Sequence, residues 1–515
     1  MTPDSERSIV SGSRRKPVGE VFDNARRAAA GLSALGVGPG AAVAILMRNA
    51  IEFLEASNAA GRLGAYAVPL NWHLAPDEIA YVLADCDAKV LIVHGDLLHL
   101  IPRELIVRQG ITTILVETPE EVRAAYPAAA TKVEPPAGEL AGTLEWKDWL
   151  ARHAPLPEGE RRPAPESTIY TSGTTGKPKG VKRKLPTAAQ KAQLDRLREE
   201  VYFLKEGIRL LVPAPLYHAA PNVFSLRGMD VADTLVLMPK FDPEEFLRLV
   251  QEHRITSTVM VPTMFVRLLR LPEKVRRAYD VSSLKTVLHA AAPCPPEVKR
   301  QMIDWFGPVI YEWYGTTETS VVTRCTTEEW LRFPGTVGRP IPGARIEIID
   351  ADGRPAPVGE EGEIFMKLEF MPDFTYHKRD DDRSGVGRGD LVTGGDIGYV
   401  NEEGFLFICD RKKDMVISGG VNIYPSEIES VLLELPQVSD CAVIGIPDAE
   451  FGEALLAIVV PGENRLSAEA IRAHLAGRLA GFKVPRHIEF HPTLPRDDVG
   501  KLLKRKLREP YWKKA

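Results

Sequence analysis

IYTSGTTGKPKGV, residues 169–181, is the stretch on which the reading of this chain turns. Ten of its thirteen residues are Thr, Ser, Gly, Lys or Pro, and the apolar pair Ile169–Tyr170 leads into them. This predicts a strand running into a donor-rich loop. Backbone N–H groups at Gly173, Gly176 and Gly180 are free to wrap an anion. Ser172, Thr174 and Thr175 add hydroxyls, and Lys179 adds charge. The loop is not a P-loop, which needs four residues between its glycines and a Ser or Thr after the Lys. Here only Thr174 and Thr175 separate Gly173 from Gly176, and Pro178 follows Lys177, removing a donor and resisting a helix start.

Around this loop the chain alternates strand and helix. Apolar runs at 42–47, 66–70 and 89–94 read as strands, with helical spacing over 21–35, 51–63 and 77–84. The Ala-, Pro- and Glu-rich segment 117–165 reads as a surface excursion. Alternation resumes with strands at 257–261, 286–290 and 309–314 and helices at 263–271 and 296–306. Such alternation predicts doubly wound, mainly parallel sheets. From 335 to 409 turn pairs such as Pro342–Gly343 and Asp352–Gly353 punctuate short strands, predicting a β-subdomain. A fresh αβ pattern follows, with helices over 425–435 and 467–479 and a strand over 438–446. The expected class is α/β: a large N-terminal domain, 1–410, and a small mobile α+β C-terminal domain, 411–515.

Bulk properties exclude several functions. The 515 residues carry a net charge of −5, giving no electrostatic reason for nucleic-acid binding. Five cysteines, odd in number and dispersed, form no disulfide framework and no metal spacing. No apolar run approaches the ~18–20 residues of a membrane span, and the first residues lack a secretory core. A cytoplasmic protein without an integral membrane segment is expected; a homodimer is left open.

Three more motifs follow in order: Tyr311-Glu312-Trp313-Tyr314-Gly315-Thr316-Thr317-Glu318 at a strand end, Gly394-Gly395-Asp396 with Asp410-Arg411-Lys412-Lys413, and Pro495-Arg496 followed by Gly500-Lys501 and a basic segment. Together with the first loop they resemble the adenylate-forming superfamily, in its acyl- and aryl-CoA synthetase branch. The resemblance runs from about Gly36 to Leu507 in family order.

The resemblance implies ATP, Mg²⁺ and coenzyme A as reactants or cofactors, with a carboxylic acid as substrate. It implies that Thr171, Ser172, Gly173, Thr174, Thr175, Gly176 and Lys179 hold phosphates. Ala291, Glu312, Tyr314, Gly315 and Thr317 would complete the ATP site, with Tyr314 stacking on adenine. Asp396 and Arg411 would hold the ribose, and Glu318 the Mg²⁺, a hard cation suited to carboxylate and phosphate oxygens. Lys501 would be the catalytic cation and Lys413 the hinge for domain rotation, while Gly419 and Gly420 would line the coenzyme A tunnel. His218, in Leu216-Tyr217-His218, would gate the carboxylate pocket, with Ala290, Trp313 and Gly315 around the acyl group. The chain departs from the family at Gly394, usually Thr, and Asp410, usually Gly. Acetate-specific relatives carry Trp at the position of Gly315, so a pocket open beyond two carbons is expected here, for a hydrophobic fatty or aromatic acid. Transfer to a carrier protein is the rival reading, disfavoured because no carrier segment follows before Ala515. A luciferase-like oxygenase and a non-catalytic nucleotide-binding regulator are less favoured, the latter because Lys501 and Glu318 are both present.

Overall fold

A computed structural model describes residues 7–101, 103–127, 143–172, 178–419, 421–462, 466–496 and 502–512. The chain divides into two compact units. The first comprises residues 1–260, 271–288 and 370–386, the second residues 261–270, 289–369 and 387–515.

The first unit holds a five-stranded parallel sheet ordered Tyr66–Pro69, Ala42–Leu46, Ala88–His94, Thr112–Val116, Leu144–Glu145. Ala42–Leu46 is buried along its whole length, as expected of a parallel strand covered on both faces. Helices Val18–Ala34, Ile51–Arg62 and Pro76–Asp85 match the helical spacing read from sequence. Further strands run in the order Ser257–Met260, Ile208–Val212, Ala232–Leu237, Ser8–Ser11, all parallel; the short Arg14–Pro17 closes this edge antiparallel.

One expectation needs correction here. Part of 117–165 is core, not excursion. Trp146 and Trp149 are buried in the helix Trp146–Ala151, and Trp149 lies where a Cβ on Gly31 would stand, 2.3 Å from its Cζ2. Gly31 is therefore a notch in the first helix that receives an indole.

The second unit contains an antiparallel array ordered Ala344–Ile349, Gly362–Leu368, Leu391–Val400, Leu406–Arg411, Thr336–Pro340, Ser320–Cys325, Ile310–Thr316. Beyond it lies a sheet built on the long hairpin Val438–Asp448 and Gly452–Pro461, with helices Pro425–Leu432 and Ala468–Ala476. Ile428, Leu432, Val443, Leu455, Ile471 and Leu475 form its core. Asp410, where the family usually has Gly, is used structurally. Its Oδ2 accepts from the Ser426 backbone N–H at 3.0 Å, satisfying a free donor of the 425–432 helix.

Gly31→Ala should lower stability. The alanine gains about 1 kcal/mol of helix propensity, but its methyl must displace a buried indole, an overpacking cost of about 1–3 kcal/mol. Thermal and urea unfolding should show a net loss; a gain would mean that Trp149 moves freely.

Candidate active site

In the second unit Asp396 is the meeting point of two motifs. It lies on the Leu391–Val400 strand, 4% exposed, directly across from Arg411 in the ladder with Leu406–Arg411. Arg411 Nε stands 3.1 Å from its Oδ1, and the Tyr314 hydroxyl donates to its Oδ2 at 2.8 Å. Burial, reinforced by the Asp396 charge, pushes the Tyr314 phenol well above its ordinary value, so it remains a donor. Each carboxylate oxygen keeps a second lone pair for an incoming hydroxyl.

Gly394, where the family usually has Thr, is explained by its neighbour. A Cβ there would stand 2.7 Å from Thr316 Cγ2, so the Thr316 methyl already fills that space. The neighbouring Thr393 accepts from the Gly395 N–H at 2.9 Å and donates to Glu363.

Thr317 and the half-buried Glu318 occupy the turn between Ile310–Thr316 and Ser320–Cys325. Thr316 and Thr319 lock this turn: each backbone N–H donates to the other's Oγ1 at 3.2 Å. Among the described residues no group of three or more His, Cys, Asp or Glu could hold a metal. Glu318 would hold Mg²⁺ as a single carboxylate, completed by substrate phosphates and water.

A Cβ on Gly315 would meet the Ser320 carbonyl oxygen at 2.0 Å and Val321 Cα at 2.9 Å, beside a register shift between Tyr314 and Gly315. The glycine permits a close backbone approach. Trp313 alternates to the face of its strand opposite Glu312 and Tyr314. The carboxylate of Glu312 pairs with Lys299, Oε2 2.5 Å from Nζ. Ala291 adopts φ 75, a left-handed conformation that costs a non-glycine residue of order 1 kcal/mol. Such outliers cluster at functional sites, and this one immediately follows Ala290.

In the first unit the expected strand–loop is a hairpin, Ile169–Ser172 antiparallel to Pro178–Arg183, with Thr171 opposite Lys179. Gly180 lies under Tyr170, whose ring a Cβ would strike at 2.7 Å, so a side chain is excluded there. The Tyr170 hydroxyl donates to Asp85 at 2.6 Å. Lys179 is nearly buried, with its ammonium 3.1 Å from Asp382. Its charge is neutralised internally. Gly173, Thr174, Thr175, Gly176, Gly420 and Lys501 lie outside the described residues.

His218 is the N-cap of the helix Ala219–Val231, its ring 4.4 Å from that of Tyr217. Sequence reading missed what positions it. Asn49 donates to the Ala214 and Met238 carbonyls and accepts from the Leu216 N–H, while Asn222 donates to the Leu216 carbonyl. A buried Asn just past a parallel strand (Asn49 follows Ala42–Leu46) is the signal that was available.

In the second unit Arg508 donates to the backbone carbonyls of Lys413 and Asp414 at 2.6 and 2.8 Å. Burial lowers the Lys413 ammonium from its ordinary value. Gly419, at φ 58, donates its N–H to the Phe451 carbonyl at 2.8 Å.

The family model of AMP-binding enzymes matches residues 2–371, and that of the AMP-binding enzyme C-terminal domain matches residues 427–501. The chain belongs to the AMP-binding enzyme family, in its acyl-CoA synthetase branch, and is an AMP-forming enzyme. It is 34% identical to feruloyl-CoA synthase of an Amycolatopsis species over 500 residues, 96% of this chain and 93% of that one. It is 33% identical to the long-chain-fatty-acid–CoA ligase FadD13 of Mycobacterium tuberculosis, over 95% and 91% of the two chains. Among solved structures, the amide bond synthetase McbA of Marinactinospora thermotolerans superposes with a TM-score of 0.82 at 26% identity, covering 98% of this chain and 97% of that one. In the described residues no helix is long and apolar enough to cross a membrane.

Gly315→Trp should not convert the enzyme to short acids; it should disrupt the 310–325 hairpin and abolish activity on every acid. AMP release with acetate and with hexanoate, run beside a circular dichroism melt, tests this. A folded variant that turns over acetate would restore the tunnel reading.

Proposed function

We propose that the protein is an ATP-dependent acid–CoA ligase for a hydrophobic, fatty or aromatic, carboxylic acid. A carboxylate oxygen attacks the α-phosphorus of ATP, forming a P–O bond as the α–β bond breaks, and pyrophosphate leaves. The sulfur of coenzyme A then attacks the acyl carbonyl, AMP leaves, and the thiol proton is released. The observation that carries this reading is the junction at which Tyr314 and Arg411, brought from two motifs, meet on the buried carboxylate of Asp396. A charged, preorganised acceptor of this kind suits ribose hydroxyls.

Two anions must approach in the first step, so the chemistry needs positive charge and positioning rather than a covalent nucleophile. Lys501 supplies that charge in this reading, between the carboxylate and the α-phosphate. Mg²⁺, held by Glu318 with the phosphates, supplies charge neutralisation when bound. His218 borders the carboxylate. Residues 411–515 form a mobile domain that turns about Lys413, withdrawing Lys501 and bringing Gly419 and Gly420 to the coenzyme A path. Anchored neighbours in the sequence support the role given to Lys501: Arg496 forms a two-pronged ion pair with Asp440 at 2.6 and 2.7 Å, and Lys504 pairs with Glu429 at 2.8 Å. The relatives named for feruloyl and long-chain fatty acyl groups support the substrate range.

Lys501→Ala should abolish adenylate formation, measured as pyrophosphate exchange, while sparing thioester formation from supplied acyl adenylate. Equal loss of both half-reactions in a folded variant would sink the domain-rotation reading.

A further inference from the structure

The chain from Arg411 to Met415 is tied down on both sides of a short interval. Before it, the Lys412 N–H donates to the Gly395 carbonyl at 2.8 Å, and the Lys412 ammonium lies 2.8 Å from Glu363 Oε2. After it, the guanidinium of Arg508 divides between adjacent carbonyls, Nη1 donating to that of Lys413 and Nη2 to that of Asp414. Nη1 also stands 3.3 Å from the Asp414 carboxylate.

Peptide planarity limits where this segment can turn, because each residue leaves only φ and ψ free. The Lys412 nitrogen comes before the φ and ψ of Lys412, and the Lys413 carbonyl oxygen comes after those of Lys413. While both anchors hold, any rotation must occur at Lys412 and Lys413. The bonds that span this interval run from the Asp414 and Met415 N–H groups to the Arg411 carbonyl, at 2.8 and 3.0 Å. They close the turn in the present conformation and part when it rotates.

The anchor after the interval is itself joined to both flanks of Lys501. Arg508 lies on the helix Lys504–Trp512, whose Leu507 is buried with Ala442, Ile444, Leu456 and Ile458 of the long hairpin. At the start of that helix Lys504 pairs with Glu429. Arg496 and Leu502, on either side of Lys501, face one another in an isolated antiparallel bridge, and the Leu503 N–H donates to the Pro495 carbonyl at 2.8 Å. Arginine is the residue this anchor needs. Its planar fork serves two acceptors at once, whereas a lysine ammonium is a point charge on a flexible stem.

We infer that Arg508 is a positioning residue: it confines the turning of residues 411–515 to Lys412 and Lys413, so that Lys501 is carried as part of one piece. This rests on the reading of those residues as a mobile domain with Lys501 as its catalytic cation. Without the fork, rotation spreads into Asp414 and Met415 and Lys501 arrives less precisely. Such misplacement slows the chemical step without weakening the binding of ATP.

The experiment compares the native enzyme with Arg508→Ala and Arg508→Lys. Limited tryptic digestion read by mass spectrometry follows cleavage after Arg411, Lys412 and Lys413, beside a thermal melt of each protein. Arg508→Ala should speed cleavage there about tenfold, the consequence of losing a charge-assisted hydrogen bond, and Arg508→Lys should fall between. Pyrophosphate exchange with hexanoate or cinnamate should lose about tenfold in kcat in Arg508→Ala, with the KM for ATP unchanged and partial rescue in Arg508→Lys. Native cleavage rates at 411–413 in the folded variants overturn the inference. So does cleavage that accelerates equally along the whole chain, the mark of an arginine that only stabilises the fold. Faster cleavage confined to 411–413 with exchange at the native rate would instead overturn the domain-rotation reading on which the inference rests.

Discussion

The second unit is organised around one constraint: the carboxylate of Asp396 is held out of solvent and must be satisfied there. An ionised group so placed is tolerable only when paired and hydrogen-bonded. Arg411 and Tyr314 meet that need from the Leu406–Arg411 and Ile310–Thr316 strands. The result is an acceptor whose position is fixed by two partners. Its surroundings follow from the same demand: Gly394 is bare because Thr316 occupies its space, and the Thr316–Thr319 exchange fixes the turn that bears Glu318.

Strong periodicity made much of the architecture legible. Pro296–Phe306 begins and ends where its proline and apolar spacing indicate, and the β-subdomain announces itself through Pro–Gly and Asp–Gly turns. Elements that rely on distant partners were not legible. Arg14–Pro17 is three basic residues and a proline whose extended form depends on pairing with Ser8–Ser11. Trp149 looked like part of a polar excursion because the glycine that receives it lies more than a hundred residues earlier.

At the site, Tyr314, Asp396 and Arg411, which motif order places in one expected nucleotide site, stand in mutual contact. Side-chain direction was less accessible. Nothing in the spacing of Lys299 and Glu312, or of Lys179 and Asp382, reveals that these charges neutralise one another. At Gly315 and Gly180 a Cβ would strike the Ser320 carbonyl and the Tyr170 ring, contacts that no spacing in the sequence reveals. A glycine in a motif signals that a side chain is excluded; only the fold says by what.

The central claim, that Asp396 reads the sugar of ATP, is tested most directly by calorimetric titration of the native protein and of Asp396→Asn with ATP, 2′-deoxy-ATP and 3′-deoxy-ATP. A charge-assisted hydrogen bond contributes about 1.5–3 kcal/mol, so the native protein should bind ATP at least tenfold more tightly than either deoxynucleotide. In the folded variant that discrimination should largely vanish. Equal discrimination in both proteins would contradict the account.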